Sequence, residues 1–596
     1  MKKYFLLLIA FVLLALPNSA KNTKVFRMAD YGIKPDTCSQ SNVSPLINAA
    51  LQDIHSKLRK GERALLLFEK GTYHFHPFGS AEQEYYISNH DQDNPKRIGI
   101  CLEDFKNITL DGDSSLFIFH GTMLPVSLVR STNCTLKNFV IDFQTPHIAQ
   151  VEILSNNPAK GITFRPIQEV QDEITPDSIF TYHGEGWNYR SSFGIAFEKD
   201  TRRILYNTGD IGFNLKGCYK DANGDIVAPK WKDSRLSKGT RIAMRTGHRP
   251  TPGIFLSEDK NTKISNVSVC YAEGMGLLAQ VCEDITLSKF SVPISKLNPQ
   301  RYFTTQADAT HFSGCKGCII STDGLYTGMM DDAINVHGTY LKVIRRIDDH
   351  TLEAQYMHHQ SWGFKWGEEG DKVQFIQSRT MEIVGNRNSI RDIKAIEKPA
   401  GKGVKVFRIT FTNVIPKDIT EKEAYGIENL TWTPRVVFRN NVISNNRARG
   451  ALFSTPRRVL VESNTFDHVS GCAILLCGDC NGWYETGACR NVIIKKNRFI
   501  NTLTSLFQFT NAIISIYPEI PDLNNQKQYF HGGHKNSIRI ENNLFETFDT
   551  PIVYAKSVNG LLIKNNTIKK NQEYPAFHYN QEPYKLEHVI NSNIQQ

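Results

Sequence analysis

Along the C-terminal third of the chain, apolar and polar residues alternate in five copies of one short pattern. Apolar residues stand at every second position, and an Asn, any residue and a further apolar residue follow. The copies span 436–443, 459–466, 492–499, 538–545 and 561–568, and their Asn residues are Asn441, Asn464, Asn497, Asn543 and Asn566. The spacings are 23, 33, 46 and 23, a period of 23 lengthened by insertions of 10 and 23. Degenerate copies lie upstream, at Leu136, Phe139 and Ile141, at Ile264, Val267 and Val269, at Ile285, Leu287, Phe290 and Val292, and over 318–323. Alternation with period two predicts short strands, and Asn tolerates the left-handed backbone needed to turn between them. A coil of this length holds two or three such strands and stacks on its neighbours as a right-handed parallel β-helix. Equivalent Asn side chains can then bond along the column, which makes them turn residues rather than ligands.

Before the repeat, Leu46, Ile47, Ala50, Leu51 and Ile54 recur at helical spacing within 44–59 and predict a helix that plugs the open end of the solenoid. The repeat is interrupted twice, by stretches of short strands and Gly- and Asn-rich turns that fit small antiparallel barrels. The expected organisation is a leader at 1–20, a cap and first coils at 21–145, an inserted β domain at 146–254, coils at 255–340, a second insertion at 341–430 and final coils at 431–596. The predicted fold class is all-β, a right-handed parallel β-helix with two small β-barrel-like insertions.

Composition adds limits. With 40% hydrophobic residues, 22% charged residues and 24 prolines in 596, the chain is folded rather than disordered. Its net charge of +10 is spread without a basic run of five, so no nucleic-acid partner is expected. Met1-Lys2-Lys3, the apolar stretch from Tyr4 to Leu16 and Pro17-Asn18-Ser19-Ala20 read as a secretory signal, since that stretch is short of the roughly 20 residues of a membrane span. No Cys follows it and no later stretch is long enough to span, so the expectation is an exported protein, periplasmic or secreted, with no membrane span. Cys315-x-x-Cys318 and Cys477-x-x-Cys480 have zinc-like inner spacing but stand 159 residues apart, against about 12–20 for paired zinc motifs. Buried thiols or a local disulfide explain them more simply.

The chemistry is sought where acids break the apolar pattern. Asp331-Asp332, set among apolar residues, is a costly pair unless it is used. With Phe290 and Asp323 as reference column, Asp331 lies eight positions beyond Asp323 and Asp308 lies 23 before Asp331, so Asp308 and Asp331 are expected to stack about 5 Å apart. Eight beyond Asn441 is Arg449, and eight beyond Asn464 is Cys472, so a cation continues the column. Asp308, Asp331 and Asp332 are the catalytic candidates, because three carboxylates and an arginine on one face can manage the protons of a water and a leaving group. A mere acidic ladder would suffer like-charge repulsion. His311, His337, Trp362, Trp366, Glu368 and Glu369 lie in or beside the second insertion, while Asp479, Trp483, Tyr484 and Glu485 occupy the ten-residue insertion. Sugar faces stack on aromatic rings and carboxylates bond hydroxyls. The substrate-binding candidates are therefore Glu368, Glu369, His311, His337, Arg449, Asp479, Trp483 and Glu485, although each Trp taken singly fits a barrel core better.

Taken together, the repeats, Ala307-Asp308-Ala309-Thr310-His311-Phe312, Met330-Asp331-Asp332-Ala333-Ile334-Asn335-Val336-His337-Gly338 and Gly478-Asp479-Cys480-Asn481-Gly482-Trp483-Tyr484-Glu485-Thr486-Gly487 resemble glycoside hydrolase family 110 over nearly the whole mature chain. The resemblance is to its bacterial exo-α-1,3-galactosidases. It implies a β-helix with two small barrels. The implied activity is hydrolysis of terminal α-1,3-linked galactose from blood-group B antigen and, in one subgroup, from linear α-1,3-galactosyl chains, with inversion and with no metal or cofactor. Asp308, Asp331 and Asp332 match the family's active-site aspartates, and Glu368 or Glu369 a further acid. The expected partner is an oligosaccharide or glycoconjugate, and the long solenoid side offers a surface for a homodimer. Inversion would put Asp331 and Asp332 on the base side and a carboxyl from another segment on the acid side, which requires a backbone bend between the tandem pair. A polygalacturonase-like hydrolase of acidic polysaccharide also mounts one Asp and a tandem pair on neighbouring coils, but its Gly-His-Gly and Arg-Ile-Lys signatures are absent here. A non-catalytic carbohydrate-binding solenoid leaves the tandem pair unexplained.

Overall fold

The computed structural model describes residues 23–36, 41–167, 170–398, 403–505, 507 and 511–595. The expected leader at 1–20 lies outside them. Two 14-stranded sheets run the length of the molecule as faces of a right-handed parallel β-helix, and a six-stranded sheet adds a third face between Leu325 and Lys570. In the C-terminal coils Val436, Val459, Val492, Ile538 and Leu561 are successive register partners. The insertions of 10 and 23 residues therefore bulge outward without shifting the ladder. Alternate residues point inward: Val436 and Phe438, Val459 and Val461, and Val492 and Ile494 are buried. Phe466, Phe499 and Phe545, each two residues past a repeat Asn, stack with ring centroids 5.2 and 4.7 Å apart.

The Asn column is a hydrogen-bonded ladder. The backbone N–H of Asn441 donates to Asn464 Oδ1 at 2.9 Å, and the pairs Asn464/Asn497, Asn497/Asn543 and Asn543/Asn566 repeat the contact at 2.9 to 3.0 Å. Each of these Asn side chains also donates, for example from Asn464 Nδ2 to Phe438 O at 2.9 Å and from Asn497 Nδ2 to Val461 O at 3.0 Å. Polar groups buried in this way are satisfied. The left-handed turn conformation falls one position earlier than expected, on Asn440, Ser463, Lys496, Asn542 and Asn565, with φ between 52° and 58°. The ladder Asn is thus selected for its amide, and the residue before it makes the turn.

At the N-terminal end the helix Ser44–Lys57 buries Ile47, Ala50, Leu51 and Ile54 against the solenoid core, while Leu46 faces solvent. Leu136 and Ile264 are register partners although 128 residues separate them. The chain between them forms a seven-stranded antiparallel sheet and a three-stranded sheet around a separate core that includes Phe164, Phe180 and Trp231. Ile334 likewise pairs with Ala451, and the strands Leu341–Arg346, Thr351–Gln355, Lys372–Gln377, Glu382–Glu397, Val406–Phe411 and Tyr425–Asn429 close into a barrel. The eleven described cysteines are unpaired, and nine of them are buried. Among the described residues no helix is long and apolar enough to cross a membrane.

Candidate active site

The strands Thr310–Ser313, Ile334–Thr339, Ala451–Phe453 and Ile474–Leu476 lie side by side, pairing Thr310 with Ile334, Ile334 with Ala451 and Ala451 with Ile474. Two residues before each pairing position, the same corner of the solenoid carries Asp308, Asp332, Arg449 and Cys472 in succession. This corrects the expected column: Asp332, not Asp331, stacks on Asp308, at a spacing of 24. The physical reason is that Gly324, not Asp323, occupies the position equivalent to Asn441, because Gly324 N–H donates to Asn441 Oδ1 at 2.9 Å. Asp331 and Asp332 sit in a bend ahead of their strand, so both adjacent side chains reach the same cavity.

The contacts of the column are specific. The backbone N–H of Asp332 donates to Asp308 Oδ1 at 3.3 Å, and His311 Nδ1 lies 2.7 Å from Asp308 Oδ2. Asp332 accepts the Arg449 backbone N–H at 2.9 Å and its guanidinium at 2.7 Å. Asp331 lies 3.2 Å from Arg249 and 3.6 Å from Arg447, and Arg447 also grips Asp210 through two contacts of 2.7 and 2.8 Å. Buried Arg245 donates to Met330 O at 2.9 Å beneath this group.

These surroundings drive the carboxyls apart in proton affinity. Burial, reinforced by the charge of Asp331, pushes Asp308 up to about 8. Burial works in the same direction on Asp331, but Arg447, Arg249, Arg449 and Arg245 overcome it and hold that carboxyl below its ordinary value. Burial opposes the charge of Arg449, yet Asp332 and Asp331 raise its pKa and keep it a cation. Burial also raises Asp332 well above its ordinary value, against the pull of Arg449, so carboxyls that hold a proton and one ionised carboxylate, Asp331, share the site. The three carboxyls bring one oxygen each within 4.8 Å of the others, and His311, His337 and Glu485 bring one ligand atom each equally close. Neither group fits a resident metal ion. Arginines already neutralise the first. In the second, the two histidine Nε2 atoms are 2.7 Å apart, whereas nitrogens bound to one tetrahedral zinc at about 2.0–2.1 Å each would stand about 3.3 Å apart.

Above the column is a cavity of about 280 Å³. The solenoid contributes Met275, Asp308, His311, Asp331, Asp332, Asn335, Arg447 and Arg449, the first insertion Phe193, Asp210, Arg245 and Arg249, and the ten-residue insertion Asp479, Trp483 and Glu485. Of the expected residues, His337 stands behind the wall, 2.7 Å from His311 and 3.4 Å from Glu485. Asp479 accepts the backbone N–H groups of Asn481, Gly482 and Trp483 at 2.6 to 2.8 Å and so folds the loop that presents Trp483. Trp483 is 39% exposed at the rim and stacks on His358 with centroids 4.4 Å apart.

Glu368 and Glu369 are not brought to the cavity. Glu368 pairs with Lys365 at 2.6 Å, and Glu369 is exposed. Their loop precedes a strand of the second barrel, and Trp362 and Trp366 pack into that barrel's core instead of facing sugar. Sequence reasoning missed Arg245, Arg249, Arg447, Asp210 and Asn89. Arg447, two residues before Arg449, was within reach of the repeat argument, but the others arrive through contacts far apart in sequence, such as Arg249 to Asp331.

Comparison with known proteins fits this architecture. Two family models match, GLAA-B beta-barrel domain I over residues 149–256 and GLAA-B beta-barrel domain II over residues 351–424. Alpha-1,3-galactosidase B of Phocaeicola vulgatus is 61% identical over 571 residues, covering 96% of each chain. The chain belongs to this family, glycoside hydrolase family 110. Other members include alpha-1,3-galactosidase B of Bacteroides fragilis, 58% identical over 98% of this chain and 97% of that one. A more distant relative, alpha-1,3-galactosidase A of Bacteroides fragilis, is 33% identical over 97% of this chain and 92% of its own. Matches over 96% and 98% of this chain span the coils and both insertions.

Proposed function

We propose that the protein is an exo-acting, inverting α-1,3-galactosidase that releases terminal galactose from blood-group B and/or linear α-1,3-galactosyl glycans. One observation carries the reading: a proton-bearing Asp308 stands against an arginine-held Asp331 at the floor of a walled cavity, in a chain 61% identical to an alpha-1,3-galactosidase B. In this reading Asp308 protonates the departing oxygen and Asp331 takes a proton from water as it attacks the anomeric carbon. Asp332, fixed by Arg449, holds the corner and bonds sugar hydroxyls. Asp308 lies on another coil from the tandem pair, which meets the need for an acid from a separate segment. The cavity wall at Trp483 favours a chain end over the middle of a polymer. Export of the mature chain is part of this reading, supported by Lys2-Lys3 and the apolar stretch from Tyr4 to Leu16 in the sequence.

Proton NMR of the anomeric signals tests this during hydrolysis of galactose-α-1,3-(fucose-α-1,2-)galactose and of its unfucosylated counterpart. Early β-galactose from either is the expected result, and the ratio of the two rates sets the subgroup. Early α-galactose would refute inversion. The stereochemical arm is demanding, because the carboxyl oxygens lie within 4.8 Å, tighter than the roughly 6.5–9.5 Å between acid and base in most inverting enzymes. Absence of galactose from both substrates would refute the activity and turn attention to uronic-acid polymers.

A further inference from the structure

Behind Asp308 a chain of short contacts leads out of the cavity wall, and its hydrogens can be placed by elimination. His337 Nδ1 lies 2.7 Å from the Gly338 carbonyl, which can only accept, so Nδ1 carries a hydrogen. His337 Nε2 faces His311 Nε2 at 2.7 Å, and His311 Nδ1 faces Asp308 Oδ2 at 2.7 Å, so one hydrogen lies in each gap. Two arrangements with a neutral His311 satisfy all three contacts. In one, Asp308 Oδ2–H donates to His311 Nδ1, and His311 Nε2–H donates to His337 Nε2. In the other, His337 is an imidazolium whose Nε2–H donates to His311, and His311 Nδ1–H donates to Asp308. The two differ by two hydrogens moved along two hydrogen bonds, with no heavy atom displaced.

We propose that His311 and His337 are a proton relay serving Asp308, with Glu485 as the counter-charge at its far end. Glu485 Oε1 lies 3.4 Å from His337 Nε2 and is held by Asn89 Nδ2 at 3.1 Å. Burial works against ionisation of Glu485, but His337, His311, Asn89 and Arg449 overcome it and lower its pKa, so it is a carboxylate that suits an imidazolium. Burial lowers His311 to about 3, so this ring passes a proton on and does not store one. The other charged or titratable groups around the pair are Asp331, Asp332, Arg249, Arg449, His90 and His358.

The inference rests on Asp308 being the acid of the proposed reaction, and the protons balance as follows. With His337 as imidazolium and Asp308 protonated on Oδ1, the glycosidic C–O bond breaks and the Oδ1 proton goes to the departing oxygen. His311 Nδ1–H moves to Asp308 Oδ2, and His337 Nε2–H moves to His311 Nε2. One O–H and two N–H bonds break; O–H bonds on the released sugar and on Asp308 and an N–H bond on His311 form. No bare Asp308 carboxylate is left beside Asp331 and Asp332. When the relay shifts back, Asp308 Oδ1 receives the proton that Asp331 took from the attacking water, and the starting state returns. His311 and His337 act only through Asp308 and are positioning residues.

The test is a proton inventory, the single-turnover rate on the branched trisaccharide in mixtures of light and heavy water, for the wild-type enzyme, His337→Gln and Asp308→Asn. The expected wild-type plot is curved, as several protons in flight require. His337→Gln should reduce the curvature to that of the two protons moved by Asp308 and Asp331 and lower the rate about 10- to 100-fold, at the lower end of general-acid effects. A straight wild-type line overturns the relay even if the variant fails to fold. Curvature unchanged in His337→Gln, whatever its rate, overturns it as well and marks His337 as structural. Asp308→Asn reads the underlying assignment separately: near-normal turnover in that variant would remove Asp308 as the acid, whatever His337→Gln does.

Discussion

Two polar columns run along the same solenoid and handle burial in opposite ways. In the Asn column, each neutral amide meets the next in identical geometry from Asn441 to Asn566, and every coil repeats the solution. In the column of Asp308, Asp332 and Arg449, carboxyls stack on adjacent coils, burial keeps a proton on Asp308, and Arg447 of the solenoid with Arg249 of the first insertion holds Asp331 ionised. The first column satisfies its groups within the repeat. The second leaves the repeat's logic and depends on Arg249 and Asp210, which the first insertion supplies. The contrast separates a stabilising device from a reactive one: buried carboxyls at close quarters are tolerated where they are used.

The largest effect that sharpens this contrast is on turnover. Asp331→Asn should lower kcat by about 10³-fold or more, in line with loss of a general base, and leave the thermal midpoint near the wild-type value. Circular dichroism melts and trisaccharide kinetics check both halves. Asp332→Asn should lose comparable activity but also destabilise the fold by about 2 kcal/mol, since the Arg449 backbone N–H and guanidinium would lose one of the two buried oxygens that accept from them. A denaturant titration measures that difference.

The ladder should respond in the reverse sense. Asn497→Ala deletes an acceptor of two hydrogen bonds and a donor to Val461 O. It should cost about 2 kcal/mol of stability, within the usual penalty for buried groups left unpaired, with kcat unchanged for the folded enzyme. The smallest expected effect is at Glu368. Glu368→Ala removes a surface pair with Lys365 and should change neither stability nor kcat/KM measurably, the ordinary result for an exposed ion pair.

The period-two alternation carried most of the architecture, because a coil that repeats its register also repeats its inward-facing residues. The same regularity explains the error in the site column. The position equivalent to Asn441 holds Gly324, so the neighbouring Asp323 was the nearest polar residue to align, and the column moved by one place from Asp332 to Asp331. Glu368 and Glu369 were drawn in by their neighbouring tryptophans, whose apolar rings serve the second barrel's core. Arg249 left no local signal at all. Its meaning arises only when the first insertion folds back on the corner at Asp331.

The most direct test of the division between the two columns is to measure turnover and thermal unfolding on the same Asp308→Asn preparation from about pH 5 to about pH 9. Asp308 has a folded pKa of about 8, raised above its unfolded value of about 3.9. Its contribution to wild-type stability is therefore full below the lower value and lost as pH rises through the higher one, and wild-type activity should fall through the same upper limb as the acid loses its proton. The account predicts that Asp308→Asn loses about 10²- to 10⁴-fold in kcat, melts at or above the wild-type temperature near pH 9, and shows a flatter dependence of stability on pH. A variant that melts well below wild type across that range while keeping substantial turnover would contradict it, and would place Asp308 with the asparagines as a structural residue.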